Sequence, residues 1–378
     1  MKKAPALRFK GFTNDWEQRK LGDIATFING RAYSKNELLY QGKYKVLRVG
    51  NFYTNDSWYY SDMELDKKYY ANYGDLLYTW SATFGPHIWK GEKVIYHYHI
   101  WKIILSDEIT KNFTLQLLEH DKNRLLAEKN GSTMIHLTKK DMENKEIVIP
   151  SSTNEQDKVG LLLTKLDYLI TLQQRKLKLL KVMKKALSQY MFCQEIEFVP
   201  ILRFNSFSDK WKYERLKNLI VKEIKGKAKA DMKGTKSTYI DTALLNGGSI
   251  TKVDSPTDTF HNDIIILWDG SQAGKIYHGF TGALGSTLKS YKPKYSGGFL
   301  YQYLKSKEPI IFLRYRTPNI PHVVKDFTEI FKINVPSVKE QEKISKTLNY
   351  LDQSILVETK KIGSIKKIKK FLLQNMFI

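Results

Sequence analysis

The sequence contains a long amphipathic stretch that occurs twice, first as EQDKVGLLLTKLDYLITLQQRKLKLLKVMKKALSQYMF at residues 155–192. Its apolar residues recur every three or four positions, which places them on one face of a helix. Adding 185 to each residue number gives a second stretch with the same pattern, at residues 340–377. The repeated apolar positions are Leu163, Leu166, Ile170, Leu177, Leu180, Leu187 and Met191, and then Leu348, Leu351, Ile355, Ile362, Ile365, Leu372 and Met376.

Polar residues interrupt this stripe at the same two places in both copies. Gln173 corresponds to Glu358, and Lys184 corresponds to Lys369. Two unrelated amphipathic helices would not be expected to share these exceptions, so the repeat predicts two equivalent helices whose stripes form a coiled-coil seam. Each helix is roughly 57 Å long at ~1.5 Å per residue. A polar residue inside a seam is known to fix the register of such a pair.

The start of each half of the chain repeats as well. PALRFKGFTNDW at residues 5–16 returns as PILRFNSFSDKW at residues 200–211. Further along, GDLLYTW at 74–80 matches NDIIILW at 262–268, and IVIP at 147–150 matches INVP at 333–336. The order is therefore globule, helix, globule, helix, and so long a period indicates duplicated domains rather than a solenoid.

Each globule combines strand and helix patterns. In the first globule, runs rich in Val, Ile, Tyr and Trp predict strands at 42–51, 75–80, 94–104 and 146–149, and an apolar face predicts a helix at 112–129. The expected fold class is α+β: two duplicated mixed α/β domains joined by two long helices. If a pseudo-two-fold relates the halves and the stripes face each other, the helices run antiparallel and the molecule is a dumbbell. The expected boundaries are 1–154, 155–197, 198–339 and 340–378.

The composition indicates a polyanionic partner. The 378 residues carry a formal net charge of +23, and such an excess is typical of proteins that bind nucleic acid. The single cysteine, Cys193, argues against a disulfide framework and a Cys-rich zinc site. No run of about 18 apolar residues predicts a membrane span, and the first residues lack the apolar region of a signal peptide. A cytoplasmic location is expected.

Taken together, the repeated openings, the Gly-Asp and Asn-Asp strands, the Ile-His and Pro-His strands and the two Glu-Gln-led helices resemble the specificity subunit of a Type I restriction-modification system. The resemblance covers essentially the whole chain. The two halves differ in places: Phe84-Gly85 of the first half stands where the second half has Ala273-Gly274, and the second globule is the shorter one.

The resemblance implies two target-recognition domains that each read one half of a split DNA sequence, with the helices setting the spacer between them. It implies no catalysis by this chain. Two modification subunits would dock on the helices and bring S-adenosylmethionine for adenine methylation. Two restriction subunits, with ATP and Mg, would complete the larger complex. The alternative is a coiled-coil protein-interaction scaffold without specific DNA readout, and a fused enzyme such as a nuclease is a third hypothesis.

The candidate DNA-binding residues lie at or just after predicted strand and helix ends, where loops carry function. Arg and Lys pair with guanine, Asn and Gln pair with adenine, and Lys and Arg also bind phosphates. Trp80 and Trp268 are expected to be core residues instead. In the first globule the candidates are Arg31, Tyr33, Lys35, Arg48, Asn51, Ser81, Thr83, Ser132, Thr133 and His136. In the second they are Lys225, Lys227, Lys229, Lys236, Asp269, Ser271, Gln272, Lys275, Arg316, Asn319 and His322.

One enzyme-like pattern is Glu143-Asn-Lys145 with Asp121 upstream, which resembles the acid-x-Lys element of a metal nuclease. The corresponding place in the second half reads Glu329-Ile-Phe. Because the second half of the chain does not repeat this element, a structural role is expected for these residues. No metal site is predicted in this chain, and no Walker or Rossmann glycine motif is present.

Histidines form the other enzyme-like pattern. His97 and His99 would share one strand face, as in a metal site, but no acid or cysteine cluster accompanies them. His136 and His322 recur without a repeated nucleophile, so an anchoring hydrogen bond or a DNA contact is expected rather than acid–base catalysis.

Lysines recur along both helices. A solvated helix face is expected for most of them, with spacer phosphates or acidic partner surfaces as the functional alternatives. They are Lys176, Lys178, Lys181, Lys184 and Lys185 in the first helix, and Lys360, Lys361, Lys366, Lys367, Lys369 and Lys370 in the second.

Overall fold

A computed structural model gives the fold of the chain. It divides into two compact units: unit 1 comprises Met1–Gln174 with Lys361–Ile378, and unit 2 comprises Arg175–Lys360. Each unit therefore contains one globule and a part of both long helices. The structure describes residues 4–53, 55–81, 83–128, 137–193, 197–319 and 321–378.

Unit 1 is built on two four-stranded sheets and a two-stranded one. Its elements are β1 (Glu17–Lys20), α1 (Leu21–Ile24), β2 (Ala25–Asn29), β3 (Tyr44–Leu47), β4 (Tyr59–Ser61), β5 (Tyr70–Ala71), β6 (Leu76–Thr79), β7 (Gly85–Ile88), β8 (Val94–Tyr96), β9 (Ile100–Leu105), α2 (Lys111–Glu128), α3 (Lys139–Glu143), β10 (Glu146–Ile149) and the first part of α4 (Thr153–Tyr190). The strand orders are β2-β9-β6-β7, β4-β3-β8-β5 and β1-β10. In the second of these sheets β3 and β8 run parallel, and the first sheet is antiparallel throughout.

Unit 2 repeats this topology with a smaller second sheet. Its elements are the rest of α4, β11 (Lys212–Arg215), β12 (Ile220–Lys225), β13 (Lys233–Ile240), α5 (Thr242–Leu245), β14 (Lys252–Val253), β15 (Ile264–Leu267), β16 (Ile276–His278), β17 (Ala283–Leu284), β18 (Leu288–Pro293), α6 (Gly297–Ser306), α7 (Glu308–Arg314), α8 (Phe327–Ile330), β19 (Lys332–Val335) and α9 (Val338–Asn375), whose last part belongs to unit 1. The strand orders are β12-β18-β15-β16, β14-β13-β17 and β11-β19. The β13–β17 pair is parallel, like β3–β8.

The predicted elements are largely confirmed, with two corrections in unit 1. The strand predicted at 42–51 is only β3, because a short 3₁₀-helix at Val49–Phe52 follows it. The strand predicted at 94–104 is two strands, β8 and β9, separated by a turn at 97–99. The reason is that β8 belongs to one sheet and β9 to the other, so the chain changes partners within this run.

The apolar stripe of the long helices is confirmed. Every one of its fourteen predicted residues is buried or half-buried. Within unit 2, Lys176 contacts Glu358 and Lys184 contacts Asp352, so rising numbers in α4 meet falling numbers in α9 and the helices are antiparallel. Three of the four polar exceptions, Lys184, Glu358 and Lys369, are thus partners in cross-helix ion pairs, whereas the fourth, Gln173, is uncharged.

The opening motif of each half is explained by one buried ion pair. In unit 1 the Arg8 guanidinium donates to both carboxylate oxygens of Glu155, at 2.6 and 2.8 Å, and the Trp16 indole donates to the same carboxylate at 3.4 Å. In unit 2 Arg203 donates to both oxygens of Glu340, at 2.8 Å each. These pairs join the start of each globule to the first turn of its long helix, since Glu155 and Glu340 both lie there.

A second duplicated contact joins each globule to both long helices. In unit 1 the Asp167 carboxylate accepts from the Gln116 amide of α2 at 2.9 Å and from Lys369 of α9 at 2.6 Å. The corresponding aspartate of unit 2, Asp352, accepts from Gln302 of α6 at 2.8 Å and from Lys184 of α4. We call this arrangement the Asp–Gln–Lys contact.

Candidate nucleic-acid interface

The ends of equivalent strands bring the candidate residues together at one edge of the first sheet in each unit. We call this edge the strand-end face. In unit 1 it comprises the loop after β2, the loop after β6 and the 97–99 turn. In unit 2 it comprises the loop after β12, the loop after β15 and residues 315–319 and 321–323. Backbone hydrogen bonds join the three segments of unit 1 and join the loop after β15 to the segment that ends at Val323 in unit 2, where the side chain of Lys225, the last residue of β12, also reaches Asp269.

A glycine makes the close approach at this face in both units. In unit 1 the Gly30 amide donates to the Ile100 carbonyl at 3.1 Å, and a Cβ added to Gly30 would lie 2.4 Å from the Tyr96 and His97 carbonyl oxygens. In unit 2 a Cβ added to Gly226 would lie 2.0 Å from the Gly285 carbonyl oxygen. Only glycine fits these positions, so the residues on either side of it are held at the face.

In unit 1 the face is an aromatic and histidine cluster beside Arg31. The Tyr98 amide donates to the Arg31 carbonyl at 3.0 Å, and the Trp80 indole donates to the Tyr98 carbonyl at 2.9 Å. The His99 ring meets the Trp80 ring edge-to-face at 4.9 Å. Burial, with help from His99 and the Arg48 charge, lowers the pKa of His97 to about 4, and burial lowers the pKa of His99. Both imidazoles are therefore neutral at pH 7 and can donate and accept hydrogen bonds.

Several unit 1 candidates also have partners inside the fold. Arg31 donates to Glu37 at 2.6 Å, which holds the pKa of that carboxyl at about 2. The Arg48 guanidinium lies 4.3 Å from the centre of the Tyr59 ring. The Asn51 amide donates to two carbonyls, those of Asn55 and Ser57, at 3.0 and 2.9 Å. These contacts fix the loop, and Asn51 would have to release them in order to read a base.

The other unit 1 candidates differ in placement. Thr83 is exposed and Ser81 half-buried in the loop after β6, Lys35 is exposed, and Tyr33 is half-buried. Ser132, Thr133 and His136 lie outside the described residues. Trp80, expected in the core, is half-buried and stacks on Trp101 at 5.7 Å, whereas Trp268 of unit 2 is buried.

In unit 2 the face is basic and includes the Asp269 carboxylate. Asp269 pairs with His322 through a backbone bridge, and the Gly270 amide donates to the Pro321 carbonyl at 2.9 Å. The Lys225 ammonium lies 3.4 Å from the Asp269 carboxylate. The His322 ring shares a hydrogen bond with the Thr317 hydroxyl at 3.0 Å, which is one of the two roles expected for it, the other being a DNA contact.

Most of the unit 2 candidates therefore converge. Lys227 adjoins Gly226, Ser271 and Gln272 are exposed in the loop after β15, and Arg316 and Asn319 lie in the segment that ends at His322. Lys275 donates to the Gln272 amide oxygen at 2.8 Å. Lys229 follows in the loop, and Lys236 lies within β13 of the smaller sheet.

The enzyme-like patterns have structural partners. Lys145 contacts Asp121, whose carboxylate also pairs with Arg124 at 3.3 Å. Within the residues that the structure describes, no group of three or more His, Cys, Asp or Glu side chains is placed to hold a metal ion. Across the same residues, no helix has the length and apolar character needed to cross a membrane.

Comparison with known proteins identifies the family. The model for the Type I restriction modification DNA specificity domain matches twice, at residues 13–182 and 208–367. The chain belongs to this family. The double match agrees with the internal repeat, and a DNA specificity domain is therefore present in each half.

Individual relatives agree with this assignment. The chain is 34% identical over 178 residues to the Type I restriction enzyme MjaVIII specificity subunit of Methanocaldococcus jannaschii, a match that covers 44% of this chain and only 42% of that protein. Its fold is similar to the crystal structure of the Type-I restriction-modification system S subunit from M. genitalium, with a TM-score of 0.75 and 18% identity over 99% of both chains. A structure from a study of complex assembly and conformational transition of the type I R-M system also matches over 99% of both chains, with a TM-score of 0.51 and 16% identity.

The sequence did not reveal which polar residues hold the globules on the helices. Asp167 and Asp352 follow Leu166 and Leu351 in both copies, so the repeat marked them without indicating a role. Gln116 and Gln302 lie in helices whose surroundings differ, and only their equivalent contacts show that they correspond.

Proposed function

We propose that this chain is the DNA-recognition subunit of a Type I restriction-modification complex, in which each unit reads one half of a bipartite target. The observation that supports this most directly is the strand-end face, which recurs at the same sheet edge in both units while its side chains differ. A shared scaffold with different exposed residues suits two modules that read two different sequences. We further propose that the chain works in the cytoplasm, where its DNA target would be.

The chain itself would be non-catalytic. Adenine methylation would be performed by two modification subunits with S-adenosylmethionine, and cleavage by two restriction subunits with ATP and Mg. In this proposal the residues of the strand-end faces hold and orient the DNA.

Exposed apolar residues support protein docking on the long helices. In each unit they occupy a helix face other than the seam, and both helices contribute. In unit 1 they are Leu161, Tyr168 and Leu172 of α4 with Ile368 and Phe371 of α9; in unit 2 they are Leu179, Met183 and Tyr190 of α4 with Tyr350 and Val357 of α9. Exposed apolar positions on both helices in each unit suit two copies of one partner.

Native mass spectrometry of the assembled complex tests this docking. The double substitution Leu172→Lys with Ile368→Lys should reduce the bound modification subunits from two to one, because two buried charges would oppose docking on unit 1. Lys178→Ala, at an exposed charged position of α4, should leave two bound. Retention of two modification subunits by the double variant would refute docking at these two positions.

The helices would also set the spacer between the half-sites. Inserting one helical turn, about 5.4 Å of rise, beside both Gln173 and Glu358 should lengthen the spacer without changing the bases read. A change in the bases with an unchanged spacer would contradict this role.

The methylome of cells that express this chain with its modification subunit tests the proposal as a whole, against cells that express the modification subunit alone. A new two-part methylated motif, short–gap–short, is the expected result. The alternative function, a coiled-coil scaffold without DNA readout, is favoured if the two proteins bind each other and no new motif appears.

A further inference from the structure

Lys225 and Asp269 stand side by side at the strand-end face of unit 2. The ammonium nitrogen lies 3.4 Å from a carboxylate oxygen, and both side chains remain about half exposed, at 52% and 42%. Their backbones are fixed, since Lys225 ends β12 in register with Lys289 and the Asp269 amide donates to the Thr287 carbonyl at 3.2 Å. The pair therefore presents one donor and one acceptor from a rigid sheet edge.

A carboxylate at this place needs an explanation. Lys227, Lys275, Arg316 and Lys225 make the face suited to phosphates, and a negative charge among them opposes phosphate binding. In the major groove, however, a carboxylate accepts a hydrogen bond from the amino group of cytosine. The charge is then favourable beside the amino group of cytosine or of adenine and unfavourable beside the acceptor atoms of guanine and thymine.

The spacing of the pair matches the edge of a single base pair. In a G·C pair, guanine O6 and the cytosine N4 amino group are hydrogen-bonded to each other, which separates them by about 2.9 Å. An ammonium donor and a carboxylate acceptor 3.4 Å apart face such an edge with matching chemistry. Thymine O4 and adenine N6 of an A·T pair offer the same acceptor and donor, so the discrimination comes from the neighbouring atom: guanine N7 gives the ammonium a second acceptor, whereas thymine places a methyl group beside the ammonium.

We propose that Lys225 and Asp269 together read one G·C base pair in the half-site bound by unit 2. Lys225 donates to guanine O6 and N7, and Asp269 accepts from cytosine N4. This inference rests on the proposed function and adds the identity of one target base pair to it.

Unit 1 lacks this pair at the equivalent positions. Lys225 precedes Gly226 as Asn29 precedes Gly30, and Asp269 follows Trp268 as Ser81 follows Trp80. Neutral side chains therefore replace both charges in unit 1. The reading of this base pair by an ion pair belongs to unit 2 alone.

The test compares the wild-type chain with Asp269→Asn and Lys225→Gln, each in complex with the modification subunit. The methylome first gives the wild-type motif, in which one half-site should contain an invariant G·C pair. Methylation rates of the purified complexes are then measured on duplexes that carry each of the four base pairs at every half-site position. Both substitutions should reduce discrimination at the same G·C position by about 5- to 150-fold, and Asp269→Asn should gain acceptance of adenine there.

A matched control comes from the other end of strand β12. Lys217 and Glu329 form an exposed ion pair there, with side chains 62% and 42% exposed. Lys217→Gln and Glu329→Gln should leave discrimination unchanged at every position. Thermal melting of each complex confirms folding, and the half-site read by unit 1, which should be unchanged, is an internal standard.

Three results would overturn the inference. They are unchanged discrimination in both variants, altered discrimination at two different positions, and an A·T pair at the affected position. The proposed function fails separately, when the wild-type complex itself yields no bipartite motif.

Discussion

Replacing Arg8 with alanine tests how far unit 1 depends on its buried ion pair. The Glu155 side chain is only 1% exposed and Arg8 is 15% exposed. Removing the guanidinium would leave the buried carboxylate with the Trp16 indole, at 3.4 Å, as its remaining side-chain donor among the residues that the structure describes. Loss of one partner from a buried pair costs about 3–5 kcal/mol. Because Arg8 is slightly exposed, we expect the lower end, about 3 kcal/mol, which is roughly a 150-fold change in the unfolding equilibrium.

A double-mutant cycle separates the net contribution of the ion pair from the cost of leaving one charge buried without its partner. Arg8→Met with Glu155→Leu removes both charges and retains apolar volume, so its stability should lie within about 1 kcal/mol of wild type. The control is Arg19→Ala, which breaks an ion pair with Glu108 whose side chains are 39% and 52% exposed. That substitution should cost below about 1 kcal/mol, since exposed pairs contribute little.

Hydrogen exchange read by mass spectrometry is the suitable assay, because it reports the opening free energy of each unit separately. Arg8→Ala should speed exchange in the strands of unit 1 and leave those of unit 2 near their wild-type rates. If Arg8→Ala costs no more than Arg19→Ala, or if the double variant is as unstable as the single one, the reasoning from buried charge is wrong.

Three further expectations follow from the packing and charges. Gly160→Ala should destabilise unit 1, because its Cβ would lie 2.5 Å from the Phe113 backbone nitrogen. The Cβ of Gly363→Ala would meet nothing within 4 Å, so this substitution should stabilise α9 by up to about 1 kcal/mol. Thermal melting of the two variants checks the contrast. Burial lowers the pKa of His87 to about 4, so the unfolded state binds the proton first and stability should fall as the pH drops from about 6.5 to about 4, by at most about 1.4 kcal/mol per pH unit. His87→Gln should remove this contribution to the pH dependence of the free energy of unfolding, which urea unfolding at several pH values measures. An unchanged pH dependence would exclude His87 as its source. Lys227→Gln should weaken DNA binding similarly at all sequences and lower the slope of log affinity against log salt by about 1, as fluorescence anisotropy at several salt concentrations would show; an unchanged slope would mean that Lys227 contacts no phosphate.

The sequence predicted the duplicated framework well, because a repeat tests each pattern twice. The apolar stripe that includes Leu163 and Leu348 could be predicted from helical spacing alone. The run at 94–104 was mispredicted as one strand, since the change of sheet at His97 leaves no mark in the alternation of residues. Strand partners are set by tertiary contacts, which a local pattern does not contain.

The candidate interface was predicted at the level of loops rather than side chains. Predicted strand and helix ends indicated where the loops lie, and the structure brings the loops beside Gly30 and Gly226 to one edge in each unit. The sequence did not indicate that the Asn51 amide is occupied by two carbonyls, or that Lys225 lies beside Asp269. Those facts depend on side-chain positions between segments distant in the chain.

The Asp–Gln–Lys contact has a consequence for how such proteins diversify. The aspartate and the lysine belong to the long helices, and the globule contributes only a glutamine from α2 or α6. A globule taken from a related protein would need only one glutamine amide, in one helix, to make this contact. Recombination that exchanges one globule and keeps the long helices would then produce a protein with a new sequence specificity.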